Sequence, residues 1–230
     1  MKKIGLVGGM SWESTQEYYR IINEKVKEEL EGFHSAKCVL ESVDFAEIEE
    51  LQHKGDWEQL CRLMADAAVN LEKAGAELIV LCTNTMHLCS EGIRKNTNIP
   101  FLHIAEATGR KISERQIKKV LLLGTRFTME KEFYKQILSK DFGIETIVPN
   151  ESDRNTVHRI IYDELVHGII KEVSKLEYKR IIEKAVEQGA QGVILGCTEI
   201  PLLIKNEDVD IPVFDTTRIH AEMAVEMALK

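Results

Sequence analysis

Two short apolar runs each end in a turn rich in groups that can do chemistry. Leu78-Ile-Val-Leu81 leads through Cys82 into Thr83-Asn84-Thr85, and Val193-Ile-Leu-Gly196 leads into Cys197-Thr198-Glu199. A thiolate can act as a base on carbon or as a nucleophile. Hydroxyls, an amide and turn N–H groups ahead of a helix can hold a carboxylate. Cys197 is the strongest single candidate, because a cysteine at a strand end before a helix start is expected to have a lowered pKa. Free cysteine is otherwise a small buried hydrophobe, the reading adopted for Cys38, Cys61 and Cys89. Cys82 adjoins Thr83, and adjacent strand side chains face opposite ways; if Thr83 is presented, Cys82 is not.

The turns belong to a repeat. Gly75-Ala-Glu-Leu-Ile-Val-Leu-Cys-Thr-Asn84 aligns without gaps on Gly189-Ala-Gln-Gly-Val-Ile-Leu-Gly-Cys-Thr198, which sets Thr83 opposite Cys197. Lys3-Ile-Gly-Leu-Val-Gly-Gly9 matches Lys119-Val-Leu-Leu-Leu-Gly-Thr125, and Ile99-Pro-Phe-Leu matches Ile211-Pro-Val-Phe. Two copies of one unit predict two pseudo-symmetric lobes with matching strand ends facing across a cleft.

The elements that position these turns alternate. Short apolar runs at 4–7, 38–43, 78–81, 120–123, 144–148 and 193–195 suit strands buried on both faces of a mainly parallel sheet. Between them, Tyr18, Ile22, Val26 and Leu30 form one helical stripe, and Leu60, Met64, Ala67, Ala68 and Leu71 another. Gly75 and Gly189 follow charged helix ends, where a left-handed cap is expected. Ser11, or Ser14 with Glu17, is placed to cap the first helix. The predicted fold is α/β: two Rossmann-like lobes, 1–103 and 104–214, each a sheet flanked by helices. The segment 215–230 forms a helix that returns to the first lobe.

In such sheets ligands bind beyond the carboxyl ends of the strands, which also brings Gly8, Gly9, Met10, Ser11, Gly124, Thr125 and Arg126 into the candidate set. Gly8-Gly9 lacks the rest of a G-x-G-x-x-G fingerprint, and no phosphate-loop G-K-[ST] is present; tight turns with close backbone approach account for these glycines. Cys82, His87 and Cys89 match no zinc spacing, and a hydrogen-bonded helix histidine is the reading for His87. Met10, Gln52 and His167 are within reach of the strand ends from loops or helix ends.

The 230 residues carry a net charge of −8 without basic clusters, which argues against nucleic acid as a partner. The apolar run after Met1 is too short for a leader and reads as a first strand. No run approaches membrane-spanning length, so no membrane partner is expected. Five scattered cysteines suggest no disulfide framework and a reduced, cytoplasmic setting.

Gly8-Gly9-Met10-Ser11, Thr83-Asn84-Thr85 and Gly196-Cys197-Thr198-Glu199 together resemble the aspartate/glutamate racemase family, over essentially the whole chain. Met10-Ser-Trp-Glu-Ser-Thr15 and Leu81-Cys-Thr-Asn-Thr-Met-His87 resemble its bacterial broad-specificity branch. The resemblance implies racemisation of a small amino acid without pyridoxal phosphate or any other cofactor or metal, and a homodimer. It also implies one cysteine on each face of the substrate, one abstracting the α-proton and the other returning one. This sequence departs at the first position: Thr83 stands where the family has cysteine, with Cys82 one residue early. Three outcomes are open. Thr83 donates or relays a proton while Cys197 is the main base, the preferred one; a shifted strand presents Cys82; or the chemistry is one-sided. The expected site is Thr83 and Cys197 as catalytic groups, with Asn84, Thr85 and Thr198 on the α-carboxylate and Met10 and Gln52 near the substrate. Alternatives are a single-cysteine decarboxylase or isomerase of a small dicarboxylate, or an amino-acid-binding protein without turnover.

Overall fold

The computed structural model describes residues 1–230. The chain divides into two compact units, Met1–Ile104 with Thr217–Lys230, and Ala105–Thr216. The first holds β1 (Ile4–Gly8), α1 (Trp12–Leu30), β2 (Cys38–Ser42), α2 (Phe45–Lys54), α3 (Trp57–Lys73), β3 (Leu78–Leu81), a 3-10 turn (Thr85–Cys89), α4 (Ser90–Asn96) and β4 (Phe101–Leu102). The second holds most of α5 (Ile104–Glu114), then β5 (Lys119–Gly124), α6 (Arg126–Glu130), α7 (Glu132–Phe142), β6 (Glu145–Ile147), α8 (Glu151–Asp163), a 3-10 turn (Leu165–His167), α9 (Glu172–Glu187), β7 (Val193–Gly196), α10 (Ile200–Leu203) and β8 (Val213–Asp215). Helix α11 (Thr216–Leu229) closes the chain.

Each unit contains one four-stranded, wholly parallel sheet, ordered β2-β1-β3-β4 and β6-β5-β7-β8. The two orders correspond strand for strand, and so do their registers. Val7 pairs with Leu81 as Leu123 pairs with Leu195, and Ile79 with Phe101 as Val193 with Val213. Backbone bonds repeat as well: Glu77 N–H donates to Lys3 O and Gln191 N–H to Lys119 O, both at 2.8 Å. The turns entering β3 and β7 use left-handed glycines, Gly75 at φ 83° and Gly189 at φ 90°, a backbone region that costs glycine little.

The central strands β1, β3, β5 and β7 are buried almost throughout, whereas the edge strands β2 and β6 are only half-covered. This corrects the expectation that all the apolar runs are sealed on both faces. An edge strand has one neighbour, so Cys38 is half-buried and Leu40 exposed. Val43 lies beyond β2. Tyr18, Ile22 and Val26 are buried in α1 but Leu30 is exposed at its end, while all five residues of the α3 stripe are buried. In the first unit α11 is fastened at both ends: Lys2 N–H donates to Ala228 O at 2.8 Å, and His220 Nε2 bonds Leu102 O at 3.0 Å. No helix is long and apolar enough to cross a membrane.

One expectation about the cysteines fails. Cys61 and Cys89 are not separate apolar fillers; they form a disulfide joining α3 to the end of the Thr85–Cys89 turn, with Cα atoms 4.7 Å apart. Twenty-eight residues separate them in sequence, and only the packing of α3 beneath that turn brings them together. Cys38, Cys82 and Cys197 are free thiols.

Candidate functional site

In the first unit the carboxyl ends of β1 and β3 are held by the opening turn of α1. Ser11 caps that helix, its Oγ accepting from Ser14 N–H at 3.3 Å. The capping serine is therefore Ser11; the Ser14 hydroxyl donates to Cys82 O at 3.0 Å, tying helix to strand end. Thr15 Oγ1 accepts from Gly9 N–H at 2.9 Å and donates to Ser11 O at 2.9 Å. Gly9 has φ 93°, and a Cβ there would lie 2.1 Å from Val43 O. The close-approach reading of this glycine therefore has a specific neighbour. Met10 is 6% exposed and packs into the first unit's core beside Met86 and Ile48.

Beyond β3 the chain turns sharply, Thr83 N–H donating back to Leu81 O at 2.9 Å. Cys82 is fully buried, and that burial pushes its thiol far above the ordinary cysteine value. Thr83 is half-buried and Asn84 and Thr85 are buried. Gln52 of α2 reaches this turn, Nε2 lying 3.2 Å from Met86 Sδ. His87 pins it from below: Nε2 accepts from Ile104 N–H at 3.1 Å, so Nδ1 carries the hydrogen and donates to Thr83 O at 2.7 Å. Burial keeps this imidazole neutral, aided by the neighbouring His103 and His220. No group of three or more His, Cys, Asp or Glu side chains is placed to hold a metal.

In the second unit β5 and β7 meet at Gly124 and Gly196. A Cβ on Gly124 would lie 2.8 Å from Gly196 O, and one on Gly196 3.0 Å from Leu123 O. Thr125 caps α6 through Thr128 N–H at 3.3 Å. Arg126 stands at the same sheet end, its guanidinium donating to Asn155 Oδ1 at 2.6 Å and its backbone N–H to His158 Nδ1 at 3.3 Å. His167 lies in the Leu165–His167 turn and is exposed.

Cys197, Thr198 and Glu199 are all half-buried beyond β7. Cys197 Sγ donates to Glu199 Oε2 at 2.9 Å, and Thr198 Oγ1 donates to the same oxygen at 2.8 Å. The expected thiolate is thereby corrected: burial, then the Glu199 charge and hydrogen bond, push the Cys197 thiol well above its ordinary value. Helix α10 spans only four residues, Ile200–Leu203, too short for its dipole to outweigh an adjacent carboxylate. The contact of Glu199 with Cys197 and Thr198 is what sequence reasoning missed. Its signal was present as a Cys-x-Glu spacing in a strand-to-helix turn, where side chains two apart can meet.

Thr83 and Cys197 each lie two residues beyond equivalent leucines, Leu81 and Leu195, in equivalent registers. A sequence profile of the Asp/Glu/hydantoin racemase family matches residues 7–224. The chain belongs to this family.

A crystal structure of a candidate Asp/Glu racemase from Yersinia pestis is 54% identical, with all of both chains covered and a TM-score of 0.96. An aspartate racemase homologue from Pyrococcus horikoshii is 40% identical, again with both chains fully covered, at a TM-score of 0.89. The broad specificity amino-acid racemase RacX of Bacillus subtilis is 27% identical over 178 residues, 76% of this chain and 74% of its own. These relationships make the chain an amino-acid racemase, an isomerase.

Proposed function

We propose that this racemase works without a cofactor, with Cys197 serving one face of the substrate α-carbon and Thr83 the other. The observation that carries the reading is the register equivalence of these two residues, of which only one is a thiol. Abstracting a hydrogen from the α-carbon of an amino acid demands an oriented base and groups that stabilise the enediolate formed from the carboxylate. Asn84 and Thr85, with Thr198, are the polar groups assigned to that carboxylate, while Met10 and Gln52 are assigned a place near the substrate. A hydroxyl is a far poorer base than a thiolate at neutral pH, so Cys197 is the main base and Thr83 donates or relays the proton to the opposite face. Cys82, sealed in the interior, takes no part.

Enantiomers have equal free energies, so kcat/KM must be the same in both directions. Unequal faces express themselves in kcat and KM separately, and in which enantiomer first carries solvent hydrogen. The substrate class is aspartate or glutamate, or a broader set of amino acids. Gln52 adds no charge beside a side-chain carboxylate, and Arg126 is the guanidinium at the β5 end available for one. Assembly as a homodimer and a cytoplasmic location complete the reading. The Cys61–Cys89 disulfide is the observation that weighs against a strongly reducing setting.

Hydrogen exchange at the α-carbon in heavy water, followed by NMR over a panel of L- and D-amino acids, tests the proposal. Exchange with inversion is expected. Exchange with configuration retained would reduce the chemistry to Cys197 alone, and no exchange on any amino acid would overturn the racemase mechanism in favour of a single-cysteine decarboxylase or isomerase. Light scattering checks the dimer.

A further inference from the structure

Two bonds of different kinds fix the peptide planes on either side of Thr83. Its N–H donates to Leu81 O at 2.9 Å, closing a tight turn about Cys82. Its carbonyl accepts from Nδ1–H of His87 at 2.7 Å. With both planes held, the direction of the Cα–Cβ bond is held too, and a β-branched side chain has few χ1 wells in which to place its hydroxyl. His87 is itself immobilised. It is fully buried, and its Nε2 accepts from Ile104 N–H at 3.1 Å.

The second unit meets the same need in another way. The repeat that sets Thr83 opposite Cys197 sets His87 opposite Pro201. Proline has no side-chain donor, and the carbonyl of Cys197 instead takes a backbone hydrogen from Ile200 at 3.3 Å. A buried side chain on this carbonyl belongs to the hydroxyl-bearing turn, where the reacting group has to be aimed.

We propose that His87 is a positioning residue for the reaction: by holding the Thr83 carbonyl it aims the Thr83 hydroxyl at one face of the substrate α-carbon. The inference rests on the racemase reading above, in which Thr83 returns a proton to the face opposite Cys197. In that reading the Cys197 thiolate forms an S–H bond as the Cα–H bond breaks, and the electron pair passes into the enediolate of the carboxylate. The Thr83 O–H bond then breaks as the enediolate forms a new C–H bond on the other face, and water restores the hydroxyl proton. When the hydroxyl is misaimed, the intermediate keeps one exit: Cys197 returns a hydrogen to the face it came from. The α-hydrogen then exchanges with solvent while the configuration is retained. His87 therefore sets the share of exchange events that end in inversion, rather than exchange itself.

The test is a pair of variants of the full chain, each keeping one of the two ring contacts. Asn places its amide nitrogen where Nδ1 stands, so His87→Asn retains a donor to the Thr83 carbonyl and loses the acceptor for Ile104 N–H. Gln reaches the Nε2 position, so His87→Gln retains an acceptor for Ile104 and loses the tie to Thr83. Each removes one bond and shrinks one buried ring, so a merely structural role gives the two variants the same kinetics. The readout is the ratio of inversion to total α-hydrogen exchange in heavy water, by NMR and chiral chromatography over the panel of L- and D-amino acids. It is taken from the enantiomer that exchanges faster in the wild type, the one whose α-hydrogen faces Cys197. The ratio should stay within about twofold of wild type in His87→Asn and fall about tenfold or more in His87→Gln, since misplacing a reacting group by about 1 Å can cost about 100-fold.

A ratio that is equal in the two variants, or lower in His87→Asn, would overturn the proposal. If neither variant folds, the ring nitrogen shifts of His87 in the native chain decide: a hydrogen on Nδ1 supports the tie to Thr83, and one on Nε2 overturns it. A wild-type chain that exchanges no amino acid would sink the racemase reading itself. Amide hydrogen exchange of the 82–88 segment, faster in His87→Gln than in His87→Asn, would then still show that His87 holds the turn, and equal protection would show that it does not.

Discussion

His87 Nε2 accepts the backbone hydrogen of Ile104 at 3.1 Å while its Nδ1–H donates to the carbonyl of Thr83 at 2.7 Å. One neutral ring thus spans from the turn after β3 to the first residue of α5, and both of its nitrogens are used. Replacing it with alanine removes the ring's bonds to both groups and leaves a cavity in the first unit. His87→Ala should therefore cost about 3 kcal/mol or more, read as a fall in the urea midpoint. A change within a few tenths of a kcal/mol would show that water replaces the ring at no cost.

His87 has two buried neighbours, His103 with ring centroid 4.5 Å away and His220 at 5.5 Å. Burial pushes His103 down to about 3 and His220 to about 4, and holds His87 well below its ordinary 6.5. A histidine depressed in the folded state stabilises the fold above its unfolded value, because there both states are neutral. Below 6.5 the unfolded chain binds protons that the folded chain refuses, and stability falls with pH until the folded values are reached. Urea midpoints should be flat from pH 8 to 7 and decline steeply from 6.5 towards 4.5. Carboxylates such as Glu164 and Asp153, held below their ordinary values by Ser174 and Arg180, add to the loss only at lower pH. A flat curve from 7 to 5 would mean that the three rings are not buried as a set.

The Cys61–Cys89 disulfide closes a loop across 28 residues. By the chain-entropy argument such a crosslink contributes about 3–4 kcal/mol. Reduction, or the paired change Cys61→Ser with Cys89→Ser, should lower the melting temperature by several degrees. Because Cys89 ends the turn that begins at Thr85, kcat should fall with it. Titration that counts five free thiols in the untreated protein would show that the bond is not formed.

Substitution of Cys197 and of Cys82 tests which thiol acts in the reaction. Cys197→Ser should abolish α-hydrogen exchange, a loss of at least about 100-fold on general-base grounds. Cys82→Ala should keep kcat within a few-fold while costing about 1 kcal/mol of stability for the small cavity it leaves. The reverse pattern would make Cys82 the base.

Much of this architecture was legible before any coordinates. The repeat of Lys3–Gly9 in Lys119–Thr125, and of Gly75–Asn84 in Gly189–Thr198, foretold equivalent strands because a buried parallel strand is a short apolar run with a fixed register to its neighbours. The second members of that correspondence, β2 and β6, carried no visible repeat: edge strands are half-solvated, and their sequences are free to diverge. Left-handed glycines at 75 and 189 were visible for the same local reason, since no other residue takes that backbone region cheaply. The histidines were not readable as a cluster. Residues 87, 103 and 220 are far apart in sequence, and only packing makes them neighbours.

The sequence by itself determined the two-unit α/β plan, the strand ends that bear the candidate groups, and the placing of a hydroxyl at 83 in correspondence with the thiol at 197. These follow from local rules of strand burial, turn geometry and side-chain identity. Tertiary structure alone decided the protonation state of Cys197, because a thiol's ionisation depends on the charge and dryness around it, and those come from Glu199 folding back and from the core of the second unit. It also decided that Cys61 and Cys89 pair and that Cys82 is sealed away. Distance in space, not position in the chain, sets which sulfur meets which partner.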